Sequence, residues 1–151
     1  MNENPHELQV LLVEDNAADA ELTLDALRAC GLTNRIHWVK DGAEALEFLL
    51  GTEATPAAEV NRLKLVLLDL RLPRLDGIEV LRALRADART RRLPVVVLTS
   101  SNEDSDIARA YDLGVNSYLV KPVESVAFMR SVTELGLYWM LLNKVPEGAG
   151  S

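Results

Sequence analysis

Four largely apolar runs of strand length punctuate this chain: "LQVLLVE", "LKLVLLDL", "PVVVLTS" and "SYLV". A strand with one wet face alternates apolar and polar residues, whereas a run apolar throughout must be covered on both faces. A fifth, weaker run, "RIHWV", does alternate. Helix-period segments lie between the runs. "AADAELTLDALRACG" carries Leu22, Leu24 and Leu27 and stops at Gly31, a residue suited to a helix C-terminus. "DGAEALEFLLG" groups Ala45, Leu46, Leu49 and Leu50 and ends at Gly51, and "GIEVLRALRA" repeats Ile78, Leu81 and Leu84 beneath a basic outer face. "EDSDIARAYDLG" and "VESVAFMRSVTELGLYWMLL" complete five βα units. Strict alternation of strand and helix predicts the α/β class, a five-stranded parallel sheet with five helices on both faces. Residues 51–63 form a loop longer than the rhythm requires, and Asp76–Gly77 reads as a turn in which Gly allows φ > 0.

The chain of 151 residues suits one domain, expected over 8–142, between an N-terminal extension at 1–7 and a disordered tail at 143–151. A formal net charge of −7 argues against a broad face for a phosphate backbone, so no nucleic-acid partner is expected. No apolar run is long enough to span a bilayer, and "MNENPHEL" lacks the basic and apolar regions of a signal peptide. Membrane association is therefore not expected and a cytoplasmic location is. Cys30, the single cysteine, has no partner for an internal disulfide and reads as a small core residue. His6 and His37 lie far apart with no ligand cluster around them, which disfavours zinc.

Each long apolar run delivers polar, reactive residues at its end: Glu14 and Asp15, then Asp69, Thr99 and Lys121. In an open α/β sheet, ligands sit beyond the carboxyl ends of the strands, so these side chains should converge on one crevice. Three carboxylates together cannot all remain ionised and unpaired at neutral pH. A hard divalent cation in an all-oxygen site relieves the repulsion, and Mg²⁺ is the expected cofactor. Asp69 can act as a nucleophile toward phosphorus, Lys121 can neutralise a phosphoryl oxygen, and Thr99 can donate to another. Together they form a kit for phosphoryl transfer. Singly, each has a plainer explanation: Asp15 or Asn16 as a helix cap, Thr99 or Ser100 in a turn, Lys121 as a solvated lysine. One shared site accounts for all the strand ends at once.

At "VLLVEDN", "LVLLDLRLPRLDG", "VVVLTSS" and "SYLVKP" the chain resembles the receiver domain of two-component response regulators. Thirty residues separate Asp69 from Thr99 and fifty-two separate it from Lys121, in keeping with that family. The resemblance implies a flavodoxin-like fold with strand order 2-1-3-4-5, an order the fold shares with a well-known family member. It also implies that Asp69 accepts a phosphoryl group from a phosphohistidine of a sensor histidine kinase. Glu14, Asp15, Asp69 and the backbone carbonyl of Arg71 would hold Mg²⁺, and Thr99 and Lys121 would bind the phosphoryl group. Tyr118 matches the switch aromatic that turns inward as Thr99 moves, and the Lys121–Pro122 bond is expected to be cis. The long 51–63 loop, "ADAELT", "EALEFL" and "LYW" are similar to single-domain regulators that partner with bacterial and cyanobacterial phytochromes. A bacteriophytochrome is thus the expected kinase, and the alternative is a phosphorelay intermediate or phosphate sink for another sensor kinase. The chain ends soon after residue 142, so a regulator without an output domain is expected.

Two rival chemistries fit less well. A dehalogenase-like phosphatase would need a second acid where Arg71 stands, and a flavodoxin-like carrier would need a Ser/Thr/Gly phosphate loop where "EDNAADAE" stands. In the last helix, Val126, Met129, Val132 and Leu135 are expected to face the sheet, while "LGLYWMLL" is apolar around nearly its whole circumference. Tyr138 and Trp139 are accordingly expected in a homodimer interface, and the related regulators are similar in dimerising through the fourth helix, fifth strand and fifth helix.

Overall fold

The computed structural model describes residues 8–31, 35–51, 63–100 and 104–136. Strands β1 (Leu8–Val13), β2 (Arg35–Val39), β3 (Leu65–Asp69), β4 (Val95–Thr99) and β5 (Ser117–Val120) alternate with α1 (Ala17–Ala29), α2 (Gly42–Leu50), α3 (Gly77–Ala86), α4 (Asp104–Asp112) and α5 (Ser125–Glu134). All strand pairs are parallel, in the order β2-β1-β3-β4-β5. The chain steps outward from β1 to β2, then returns past β1 to β3. Connections after β1 and β3 therefore leave in opposite directions and open a crevice above their carboxyl ends.

A doubly covered sheet needs two cores, and strand alternation provides them. Leu11, Val13, Val66, Leu68, Val95 and Val97 pack with Leu49 of α2 and Val80, Leu81 and Leu84 of α3. On the other face Val10, Leu12, Leu65, Leu67, Val96, Leu98 and Leu119 meet Ala20 and Leu27 of α1 and Phe128 and Val132 of α5. Cys30 packs at the margin of this second core, its Sγ 3.2 Å from the Ser125 carbonyl, and burial pushes its thiol pKa up. That environment suits an inert core residue.

Three of the βα turns end in the same chemistry. Asn16, Asp41 and Asp76 each accept, through their side chains, the amide N–H three residues ahead. Each satisfies a backbone donor that the first helical turn leaves unpaired. Asn16, rather than Asp15, is the cap of α1, which leaves the Asp15 carboxylate for other work.

Several expectations require correction. Leu22 lies on the solvent side of α1, where Ala20, Thr23, Ala26 and Leu27 are the buried residues. The inner stripe of α5 consists of Phe128, Ser131 and Val132, with Ala127 and Leu135 against it, and Val126 is 69% exposed. A strict three-residue repeat drifts by about 60° at each step around a helix of 3.6 residues per turn, so Val126 and Val132 cannot share a face. Nor does α5 continue unbroken toward Leu142. It ends at Glu134 with Leu135 as C-cap and Gly136 at φ +73°, and Tyr138 and Trp139 lie outside the described residues. Arg85 is not part of a solvated basic face. Its guanidinium donates to the carbonyls of Leu113, Gly114, Arg91 and Leu93, tying α3 to the turns that precede β4 and β5.

Gly77 is required for a reason other than turn flexibility. It does not adopt positive φ, but a Cβ there would sit 2.5 Å from the backbone oxygen of Asp69 and from the Leu70 Cα. Absence of a side chain lets α3 start directly beneath the end of β3, where the Gly77 amide donates to the Leu70 carbonyl at 2.9 Å. Gly77→Ala should therefore force β3 and α3 apart and cost about 1–3 kcal/mol, the usual range for overpacking. Urea unfolding followed by circular dichroism measures it; an unchanged midpoint would show that the backbone relaxes freely.

Candidate functional site

Register builds the site. Val13 pairs with Leu68, Asp69 with Leu98 and Thr99 with Val120. One step beyond the Val13–Leu68 pair, Glu14 and Asp69 come side by side at the centre of the sheet. Lys121 follows β5 directly, and its backbone N–H donates to the Thr99 carbonyl at 2.7 Å. Residues far apart in sequence thus meet because four neighbouring parallel strands end at nearly one level.

The side chains then close on one another. The carboxylates of Glu14, Asp15 and Asp69 each offer an oxygen within 4.8 Å of the others. Glu14 and Asp69 are buried and Asp15 is exposed at the mouth. Lys121 reaches back across the crevice so that its Nζ lies 2.9 Å from Glu14 Oε1 and 3.1 Å from Asp69 Oδ2. The remaining oxygens take backbone donors: Asn16 N–H to Glu14 Oε2 at 3.0 Å, and Arg71 N–H to Asp69 Oδ1 at 3.0 Å. Thr99 is buried at the end of β4. Tyr118 is 38% exposed and stands edge-on to Tyr111, with ring centroids 6.2 Å apart. The Lys121–Pro122 peptide is cis.

Electrostatics follow from this packing. Burial pushes the Glu14 carboxyl up from its usual value near 4.5 to about 7, aided by the neighbouring Asp69 charge and opposed by the hydrogen bonds from Lys121 and Asn16. Burial alone would lower the Lys121 pKa, but hydrogen bonds to Glu14, Asp19 and Asp69 outweigh it and hold the ammonium above its ordinary range. Lys121 is therefore held as a cation, and it answers part of the charge problem that strand ends alone would leave entirely to a metal. Three carboxylates and one ammonium still leave the crevice anionic, and the oxygen-only donor set suits a hard divalent ion.

Two residues of the site escape a reading by strand ends. Asp19, on the first turn of α1, places Oδ2 3.0 Å from Lys121 Nζ. Trp38 of β2 donates from Nε1 to the Glu14 carbonyl at 2.7 Å. Neither ends a strand; the only available hint was that Asp19 stands three residues beyond the capping Asn16, at a position that favours acids.

Comparison with known proteins agrees with this geometry. Residues 10–133 match a family model described as the response regulator receiver domain. The chain is 45% identical over 141 residues to the "Probable methanogenesis regulatory protein FilR2" of Methanothrix harundinacea, covering 91% of this chain and 86% of that one. Among solved structures, the bacteriophytochrome response regulator RtBRR superposes with a TM-score of 0.79 at 44% identity, covering 96% of this chain and 87% of that one. The Mn²⁺-bound form of response regulator Rcp1 does so with a TM-score of 0.68 at 33% identity, covering 93% and 99% respectively.

A raised pKa leaves a signature in stability. Because folding lifts the Glu14 pKa, the folded state favours its protonated form. The stabilising contribution is complete below about 4.5 and is lost as pH rises through about 7. In metal-free buffer the melting temperature should therefore fall between pH 5 and 8, and Glu14→Gln should flatten that fall. A decline of equal slope in the variant would place its origin elsewhere.

Proposed function

This chain belongs to the response regulator receiver domain family, and from that membership we propose that Asp69 is its phosphoacceptor. The observation that carries this reading is the Lys121 ammonium lodged between Asp69 and Glu14 at the carboxyl ends of β3 and β1. An Asp69 oxygen attacks the phosphorus of a phosphohistidine; the O–P bond forms as the P–N bond breaks. The electron pair leaves with the imidazole nitrogen, which takes up a proton. Lys121 and the Thr99 hydroxyl then receive the phosphoryl oxygens, which supplies the charge neutralisation and positioning on which phosphoryl transfer depends. The cofactor of this reading is Mg²⁺, held by Glu14, Asp15, Asp69 and the Arg71 carbonyl. When bound, it neutralises the incoming phosphoryl oxygens and the acids around them.

The donor in this reading is a sensor histidine kinase, specifically a bacteriophytochrome. Likeness to RtBRR, named a bacteriophytochrome response regulator, supports it. FilR2 is equally similar and is named for methanogenesis, so a second donor class belongs in any trial. The signal leaves as a change of surface, Thr99 drawing Tyr118 inward from its exposed position on the same sheet face. The β5 edge of the sheet, flanked by α4 on one face and α5 on the other, carries the proposed homodimer contact, and Tyr111, Val120 and Val126 are exposed there. No described helix is long and apolar enough to cross a membrane, and the reading places the protein in the cytoplasm.

Three measurements test these statements. Incubation with phosphorylated bacteriophytochrome kinase should leave an acid-labile label on the wild type and none on Asp69→Asn. Labelling of that variant would assign the chemistry to another residue. Millimolar Mg²⁺ should raise the melting temperature of the wild type but not of Asp15→Asn, and equal shifts would remove Asp15 from the ligand set. Sedimentation at micromolar concentration should show a dimer that Val120→Asp converts to monomer; a monomeric wild type refutes the interface.

A further inference from the structure

An ammonium has three N–H donors, and Lys121 spends all three on carboxylates: Glu14, Asp69 and Asp19. Glu14 and Asp69 belong to the proposed metal and phosphoryl chemistry. Asp19 belongs to neither, since the three-carboxylate cluster consists of Glu14, Asp15 and Asp69. It projects from α1 with its side chain 36% exposed, against 9% for Lys121.

Asp19 is held in place by a closed circuit. Asn16 N–H donates to Glu14 Oε2 at 3.0 Å, and Asp19 N–H donates to Asn16 Oδ1 at 2.8 Å. Lys121 completes the ring, donating to Asp19 Oδ2 at 3.0 Å and to Glu14 Oε1 at 2.9 Å. Helix cap, metal-side carboxylate and lysine are thereby one structure.

Resting on the phosphoacceptor reading above, we propose that Asp19 is a positioning residue for phosphoryl transfer, the anchor that keeps the Lys121 ammonium aimed at the phosphoryl group. The argument turns on what happens to the other two partners. When Asp69 becomes an acyl phosphate its carboxyl group loses its charge, and its pull on Lys121 falls. A metal drawn to the crevice competes with Lys121 for Glu14. Asp19 is the partner that neither event consumes. A lysine with four rotatable side-chain bonds would otherwise have to be ordered again at each transfer. With Nζ pivoted on Asp19, a short swing from Asp69 to a new phosphoryl oxygen suffices.

Phosphoramidate, a small donor whose P–N bond breaks to release ammonia, tests this on the full chain with Mg²⁺ present. Asp19→Ala should lower the second-order rate constant for labelling about tenfold while Mg²⁺ affinity stays within twofold of wild type. Asp19→Asn, which keeps an acceptor oxygen, should restore most of the loss. In a Lys121→Ala background, Asp19→Ala should add nothing, because a residue acting through Lys121 has no effect once Lys121 is gone. A general loss of helix stability would act in both backgrounds. The proposal is overturned if Asp19→Ala labels within twofold of wild type, if Asn rescues no better than Ala, or if the two substitutions slow labelling independently. Absence of label on the wild type, or its survival in Asp69→Asn, would instead overturn the phosphoacceptor reading itself.

Discussion

Two carboxylates held side by side at the centre of a sheet repel by about 4 kcal/mol at 4 Å in a medium of effective dielectric 20. The ammonium of Lys121 is what makes that arrangement tenable. It lies within 3.1 Å of both Glu14 and Asp69, shielded from solvent by the ends of the strands that carry them. Breaking such a pair by removing one member leaves a buried charge without a partner, which is far more costly than the pair is stabilising. The carboxyl end of the sheet is thus poised: neutral enough to fold, and anionic enough to draw a cation.

The rest of the fold can be understood as what brings Lys121 to that position. β5 is an edge strand and β1 lies three strands away, so the lysine must reach across the ends of β4 and β3. It can do so because Thr99 pairs with Val120, which sets Lys121 one step higher than Thr99. A slip of one residue in β5 would send it to the opposite face. Gly77 contributes from below, allowing α3 to begin against the backbone of Asp69, and Arg85 ties the far end of the sheet through carbonyls of the α4–β5 turn. These are long-range constraints on a crevice that no single segment contains.

Plain and functional explanations turn out to divide neighbouring residues between them. Within "EDN", Asn16 is the helix cap, Glu14 is buried against Lys121, and Asp15 stays exposed. Asp76 caps α3, so its conspicuous pairing with Gly77 reflects a helix start and a close approach, not a flexible turn. Each residue type fits its role through ordinary chemistry, and only their distribution over adjacent positions is particular to this fold.

Much was legible from the sequence alone. Apolar runs too continuous for a wet face require a doubly covered parallel sheet, and reactive residues at the ends of those runs must share its carboxyl edge. Glu14, Asp15, Asp69, Thr99 and Lys121 were readable for that reason, since strand periodicity and the rule of open sheets are both local patterns. The partnership of Asp19 with Lys121 was not, nor were the hydrogen bond of Trp38, the carbonyl cluster around Arg85 or the true inner face of α5. Those depend on how a helix rotates against the sheet and on which side chain can reach another across several strands. Packing in three dimensions decides such contacts, because the same polar residue is solvated or captured according to the neighbours that the fold supplies.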